Sequence, residues 1–235
     1  MHGTRSLLTG LIVSAAISAA CSSGDRPAST QASASKPAQE SRSGQLFPPT
    51  ELGVLEPPDR AAWQQPERVM DALGIADSSR VADFGAGGGW FTTFLARRVG
   101  PNGVVYAEDV QPEMIVSINR KMKNEGLTNV RAILGTPAEP ALPSGLNAIL
   151  LVDTYPQLVE PVVILRRLAA SLAPGGRIGI VDFKNDGAGG PGPPIESRIP
   201  PEVVMRDAKE AGLELSSQER FLRYQYMLVF TKPAG

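Results

Sequence analysis

A glycine-rich segment, residues 85–89, directly follows the short apolar run 81–84 and precedes a helix-like stretch. Glycines at such a place let the backbone approach a ligand closely, and the start of the next helix offers N–H groups without helical partners. Asp83 lies just before the glycines, and Asp109 closes the next apolar run, 24 residues after Gly85. A carboxylate at the end of the second strand can accept both hydroxyls of a ribose. The segment therefore predicts a nucleoside site.

The kind of nucleoside follows from charge and side-chain size. Asp83 would repel a pyrophosphate and attract an ammonium or a sulfonium group. A dinucleotide fingerprint needs glycine at the sixth position of Gly-x-Gly-x-x-Gly, and Trp90 occupies that position. The sequence has no Tyr-x-x-x-Lys pair of the kind that short-chain dehydrogenases use. These features favour S-adenosylmethionine over a nicotinamide cofactor.

Composition excludes several other chemistries. The 235 residues contain one histidine, His2, and one cysteine, Cys21, both near the N-terminus. The rest of the chain can form neither a Ser-His-Asp or Cys-His relay nor a structural zinc site, so we expect no metal. Lys and Arg number 23 against 24 Asp and Glu. This balance gives no general attraction to nucleic acid, which we do not expect as a partner.

The elements that must position these residues alternate along the chain. Short apolar runs predict strands at 81–84, 104–107, 130–134, 148–152 and 177–181, and helical spacing predicts helices at 66–73, 90–99, 112–126, 158–172 and 201–211. Two further strands, 213–222 and 226–232, are separated by three residues, which requires an antiparallel pair. We therefore expect an α/β fold, a doubly wound and mostly parallel seven-stranded sheet with an antiparallel last strand. Helical spacing assigns Trp63, Trp90, Phe91 and Phe94 to packing.

The N-terminal residues predict export. Residues 1–21 combine Arg5, an apolar run of 14 residues and Cys21, which is typical of a secretory signal and too short for a membrane span. The junction before Cys21 resembles a bacterial lipobox; the alternative is an ordinary cleaved signal in which Cys21 is incidental. Residues 22–58 are expected to form a disordered linker, since 22–45 contain no large apolar residue. The predicted location is the bacterial cell envelope, facing the periplasm, with a lipid at Cys21 as the membrane contact.

The region from about Arg60 to Pro233 resembles the class I S-adenosylmethionine-dependent methyltransferases, with residues 59–235 as the domain. The resemblance is carried by residues 81–91, 105–109 with 112–114, 151–155, and 174–177; residues 224–230 resemble the closing strand of a small bacterial subgroup. It implies that Asp83, Gly85, Gly87 and Gly89 hold the methionine part of the cofactor, that Asp109 holds the ribose, and that Asp153 faces the methyl group. The implied reaction is an in-line displacement by an unidentified, small-molecule acceptor.

Two positions depart from the family pattern. The family has an acidic residue after the third strand that binds the adenine amino group, and Thr136 supplies only a hydroxyl there. Many relatives have histidine after the tyrosine of the fourth-strand motif, where this chain has Pro156. Asp153 and Tyr155, together with Asp182, are the candidate bases, and the sequence does not choose among them. It also leaves the oligomeric state open.

A second interpretation competes with the enzyme. S-adenosylmethionine is made in the cytoplasm, and an exported enzyme would be separated from it. The alternative is a non-catalytic envelope lipoprotein that uses a methyltransferase fold for binding or scaffolding. Cofactor binding by the purified domain distinguishes the two.

Overall fold

A computed structural model of the chain describes residues 46–187 and 189–233. Seven strands form one sheet in the order β3-β2-β1-β4-β5-β7-β6. Their bounds are β1 (Arg80–Phe84), β2 (Val104–Asp109), β3 (Val130–Leu134), β4 (Leu146–Val152), β5 (Leu172–Phe183), β6 (Glu214–Glu219) and β7 (Gln225–Thr231). The pairs from β3 to β5 are parallel, and β7 is antiparallel to both β5 and β6. The predicted architecture, including the antiparallel last strand, is confirmed.

Helices cover both faces of the sheet. They are α1 (Arg60–Gln64), α2 (Pro66–Ala72), α3 (Trp90–Val99), α4 (Pro112–Asn124), α5 (Pro161–Ser171) and α6 (Pro201–Glu210). The apolar sides of α5 and α6 pack with Phe84, Ile149 and Ile180 on one face. Those of α2 and α3 pack with Val81, Leu150 and Val229 on the other, beside a smaller cluster under α4. This alternation buries both faces of the central strands β1, β4 and β5, as a parallel sheet requires.

Several predicted elements have different bounds in the structure, and the strand predicted at 177–181 extends over Leu172–Phe183. The helix expected at 158–172 begins at Pro161, because proline is well suited to a first helical position, and a short 3-10 helix, Tyr155–Gln157, precedes it. The strand expected at 213–222 ends at Glu219. These differences lie at element ends, where sequence periodicity gives the least information.

The order of the strands creates a crevice beside β1. From β1 the chain moves outward through β2 to β3, and it then crosses back to place β4 on the other side of β1. Ligands of such sheets bind beyond the carboxyl ends of the strands at this reversal. The glycine segment follows β1, and Asp153 follows β4, so the predicted site residues meet at the crevice.

Residues 46–58 are the part of the predicted linker, 22–58, that the structure describes. They include a 3-10 helix, Pro49–Leu55, and they pack against the domain. The Glu56 carboxylate lies 2.6 Å from the Lys121 ammonium of α4, and a β-carbon on Gly88 would lie 3.1 Å from Leu52. Proline and leucine contacts in this segment bury apolar surface that the composition of 22–45 cannot offer. The predicted signal, Cys21 and residues 22–45 lie outside the described residues.

No helix within 46–187 and 189–233 is long and apolar enough to cross a bilayer. Across those same ranges, no group of three or more Cys, His, Asp and Glu side chains could hold a metal ion.

Candidate functional site

The glycine loop after β1 is fixed to the end of β2. The N–H groups of Gly85 and Ala86 both donate to the carbonyl of Glu108, at 2.9 Å each. Gly85 has a φ of +71°, and a β-carbon there would lie 2.5 Å from the Thr154 hydroxyl oxygen. Only glycine suits this position, because any side chain would be strained and would overlap Thr154. The backbone at the tip of β1 therefore packs directly against Thr154, which follows β4.

Asp83 is the buried carboxylate at the end of β1, with 2% of its surface exposed. Its Oδ2 accepts a 2.6 Å hydrogen bond from the Thr92 hydroxyl in the first turn of α3. Burial raises the pKa of Asp83 to about 6, although the Thr92 hydrogen bond and the charge of Arg60 oppose the rise. A cation bound beside Asp83 would stabilise its ionised form.

Asp109, at the end of β2, is held by backbone groups on both sides. Its Oδ2 accepts a 2.9 Å hydrogen bond from the Gly87 N–H, and its Oδ1 accepts one of 3.0 Å from the Gln111 N–H. Burial raises its pKa, and these backbone hydrogen bonds oppose the rise. A carboxylate has about four lone-pair sites, so these backbone groups leave Asp109 able to accept a hydrogen bond from a ribose hydroxyl.

Glu108 is the second acid at the end of β2, next to Asp109. It is 1% exposed, and its Oε1 has no hydrogen-bond partner among the described residues. A β-carbon on Gly135 would lie 2.8 Å from the Glu108 Cδ, so the carboxyl group fills space at the end of β3. Burial, and next the charge of Asp109, raise the pKa of Glu108 to about 8.

Thr136 lies at the end of β3, where the family pattern has an acid. It is exposed, and its hydroxyl accepts a 2.9 Å hydrogen bond from the Glu139 N–H. The Thr136 N–H donates in turn to the Glu139 carbonyl at 3.0 Å. In the structure the hydroxyl stabilises a local turn, and its expected contact with an adenine stays a prediction.

Asp153 ends β4 with a φ of +57°, an uncommon conformation for a residue other than glycine. Its Oδ1 accepts a 2.6 Å hydrogen bond from the Gln225 carboxamide of β7. Its Oδ2 lies 3.4 Å from the Gln64 carboxamide and 3.7 Å from the Arg60 guanidinium, both on α1. Burial raises the pKa of Asp153 to about 6, and Arg60 opposes the rise. Backbone strain maintained by such a network is typical of functional sites.

The other two candidate bases lie deeper than Asp153. Tyr155 is fully buried, and its hydroxyl donates a 2.7 Å hydrogen bond to Asp207 of α6. In the structure its ring packs in the core, and its predicted role as a candidate base stays a prediction. Asp182 is 1% exposed on β5, and its Oδ2 has no hydrogen-bond partner among the described residues. Burial, and next the charge of Asp153, raise its pKa well above the ordinary carboxyl range.

Arg60 joins the two halves of the site, although it belongs to none of the motifs that predicted site residues. Its side chain is 11% exposed, and its guanidinium lies 4.2 Å over the ring of Trp90, the first residue of α3. Its Nε donates a 2.6 Å hydrogen bond to Gln64. Trp90 is half-buried and packs on Phe94 as expected, and its ring also contacts the Arg60 guanidinium. Arg60 and Gln64 lie one helical turn apart, but a helix of five residues is too short for the sequence to mark them as a pair.

The arrangement is suited to a ligand with a net positive charge. When Asp83 and Asp153 are ionised, their two negative charges outnumber the single positive charge of Arg60, which attracts both. The glycine loop offers backbone contact between them, and Asp109 can accept ribose hydroxyls. A nucleoside that carries a positive group fits these features, whereas a phosphate would meet two acids.

Comparison with known proteins agrees with this chemistry. A family described as "Methyltransferase domain" matches residues 81–176. The nocamycin O-methyltransferase of Saccharothrix syringae is 30% identical over 135 residues, which are 56% of this chain and 44% of that protein. A protein-L-isoaspartate O-methyltransferase of Methanothrix thermoacetophila is 28% identical, with 57% of this chain and 66% of that protein covered. The chain spans about half the length of the curated relatives it matches.

A solved structure covers more of the chain. The S-adenosylmethionine-dependent methyltransferase of Aquifex aeolicus has a TM-score of 0.75 and 28% identity, with 79% of this chain and 98% of that chain covered. The cofactor of this family fits the residues present, because its positive charge matches the two acids and its ribose matches Asp109. The family match over residues 81–176, the fold and the likeness to this solved structure support a class I S-adenosylmethionine-dependent methyltransferase.

Proposed function

We propose that the protein transfers the methyl group of S-adenosylmethionine to a small-molecule acceptor. The observation that carries this proposal is the meeting of Asp83, the glycine loop and Asp109 at the crevice beside β1, with Asp153 on its other side. The proposed contacts assign the methionine part to Asp83 and the loop, and the ribose to Asp109.

When bound, S-adenosylmethionine supplies an electrophilic methyl group. Asp153 is the residue best placed to take the proton of the acceptor, because Gln225 and Gln64 fix its carboxylate beside the end of β4. Its pKa of about 6, raised by burial, leaves it ionised but still basic at neutral pH. Burial stabilises the protonated form of the Asp182 carboxyl group, and Asp182 is less accessible than Asp153. Positioning accounts for most of the rate enhancement in this scheme.

Two observations support a small acceptor. A pocket of about 600 Å³ lies on the outer side of α1, lined by residues that include Trp63, Pro191 and Tyr224, and such a volume suits a small molecule. Trp63 of this pocket directly precedes Gln64, whose carboxamide lies 3.4 Å from Asp153. The formal charge of −1 offers no general attraction to a nucleic acid.

The test follows a labelled methyl group. The purified protein is incubated with S-adenosylmethionine carrying a trideuterated methyl group and with a small-molecule extract of the cell envelope, and products are identified by mass spectrometry. We expect a labelled product that D153N reduces by 100-fold or more, in the range of general-base effects. The exposed Asp77 provides a matched control, since D77N should retain activity.

Failure of transfer has a defined meaning. If the protein binds the cofactor but labels nothing in envelope or cytoplasmic extracts, the enzyme proposal is contradicted, and a binding or scaffolding role on the same fold explains the chain better.

We further propose that the protein is exported and carries a lipid at Cys21. The support is the sequence of residues 1–21 and the apolar-poor stretch that follows. Metabolic labelling with a palmitate analogue should mark the protein, and C21S should abolish the label. Labelling that survives in C21S, or soluble protein in the cytoplasm, would contradict this proposal.

A further inference from the structure

Arg60 lies where the strand-end acids and the glycine loop converge. Its guanidinium is 3.7 Å from Asp153 Oδ2 and 4.2 Å over the ring of Trp90, which starts α3 immediately after the glycines. Burial lowers the pKa of Arg60, while the charges of Asp153, Asp83 and Glu56 oppose the fall. An arginine remains charged under these conditions. The site therefore combines two acids and one buried cation within one small region.

This combination is complementary to a zwitterion. The free α-amino acid group of the cofactor carries one ammonium and one carboxylate. The ammonium suits Asp83, and the carboxylate requires a cation or N–H groups on the same side of the loop. The planar guanidinium matches a carboxylate in two-point geometry. Gly89, which precedes α3, provides no side-chain cap, so the first turn of the helix adds a favourable field for an anion.

We propose that Arg60 is the specificity residue for the amino-acid end of the cofactor, where its guanidinium binds the methionine carboxylate opposite Asp83. This inference rests on the proposed function. Gln64 and the Trp90 ring hold the guanidinium in position, so little side-chain entropy is lost on binding. Arg60 thereby distinguishes S-adenosylmethionine from nucleosides that lack the amino-acid group.

The test compares two ligands and three variants of the full chain by calorimetric titration. The ligands are S-adenosylmethionine and 5′-methylthioadenosine, which has the adenosine and the sulfur but no amino-acid group. The variants are R60Q, R60K and R68Q. Arg68 is the matched control because it also stacks on a ring, that of Phe221, at 4.3 Å, and lies on the exposed side of α2.

We expect R60Q to weaken the binding of S-adenosylmethionine by about 10- to 100-fold, because it removes hydrogen bonds to a charged group. R60K should recover part of that affinity, since lysine keeps the charge but lacks the two parallel N–H donors of the guanidinium. The affinity for 5′-methylthioadenosine should be the same in the wild type and R60Q, which also shows that the variant is folded. R68Q should change neither affinity. Tryptophan fluorescence should change on binding in the wild type and less in R60Q, because Arg60 stacks on Trp90.

Three results would overturn the inference. Equal losses for both ligands in R60Q would show a general structural role, unchanged binding of S-adenosylmethionine would show no role, and tighter binding would show that Arg60 competes with the cationic groups of the cofactor. Each of these requires a wild type that binds. A wild type that binds neither ligand would overturn the proposed function and this inference with it.

Discussion

Thr92 donates a 2.6 Å hydrogen bond to Asp83, which ties the first turn of α3 to the carboxylate at the end of β1. A buried carboxylate is costly to ionise, and a hydrogen bond to its ionised form lowers that cost. The pair therefore keeps an acid within the apolar layer between α3 and the sheet and keeps it able to bind a cation.

Replacing Thr92 with valine tests this relationship. T92V keeps the shape and removes the hydroxyl, so the pKa of Asp83 should rise further and the affinity for S-adenosylmethionine at pH 7 should fall by about 3- to 10-fold. Thr93 is the matched control, because its hydroxyl donates at 3.2 Å to the Gly89 carbonyl and not to Asp83. Titration calorimetry measures both variants. Equal losses in T92V and T93V would contradict the role of the hydroxyl.

Cofactor affinity should depend on pH through the two acids. The pKa values of Asp83 and Asp153 are raised by burial to about 6, so both groups take up protons as the pH falls through 6. The cofactor binds the ionised forms. Its affinity should therefore rise from pH 5 to pH 7, by up to about tenfold per pH unit for each proton released.

The uncharged 5′-methylthioadenosine provides the control for pH. Its affinity should change little over the same range, because no cation is brought to the acids. An affinity for S-adenosylmethionine that is flat from pH 5 to pH 7 would show that neither acid faces the cofactor.

Gly85 should be more sensitive than another glycine of similar conformation. G85A introduces a β-carbon 2.5 Å from the Thr154 oxygen, whereas Gly175 has a similar φ of +74° and nothing within 4 Å. Both changes add backbone strain of about 1–2 kcal/mol, and only G85A adds a steric overlap of about 1–3 kcal/mol. Chemical denaturation should show the larger loss of unfolding free energy in G85A, which should also bind the cofactor more weakly. Equal losses in the two variants would show that Thr154 moves aside.

Tyr155 should affect stability and not binding. Y155F removes the hydroxyl that donates to Asp207, leaving a buried carboxylate oxygen short of a partner at a cost of about 1–3 kcal/mol. The unfolding free energy should fall by that amount while the affinity for S-adenosylmethionine stays the same. The half-buried Tyr106 is the control, since Y106F should cost less than about 0.5 kcal/mol. A loss of cofactor affinity in Y155F, with none in Y106F, would show that Tyr155 contributes to the cofactor site.

The features that the sequence predicted are local. The apolar runs and the glycines define β1, its loop and the start of α3 within a dozen residues. A link too short for a parallel crossover suffices to make the last two strands antiparallel. Asp83 and Asp109 were found because each ends a strand, and the strand ends of a parallel sheet meet at one edge.

The features that it did not predict depend on distant contacts. Gln225 and Gln64 reach Asp153 across 72 and 89 residues of chain, and a single amide in each segment carries no local signal. Arg60 belongs to a helix of five residues, too short to show a periodic pattern. Tyr155 follows the fourth-strand motif, but the 3-10 turn after β4 directs its ring into the core.

Titration of the purified full chain with S-adenosylmethionine tests the central claim most directly. We expect saturable binding of one molecule per chain at pH 7, weakened at least tenfold by D83N and by D109N. Heat indistinguishable from dilution at millimolar ligand would contradict a cofactor site at the end of β1.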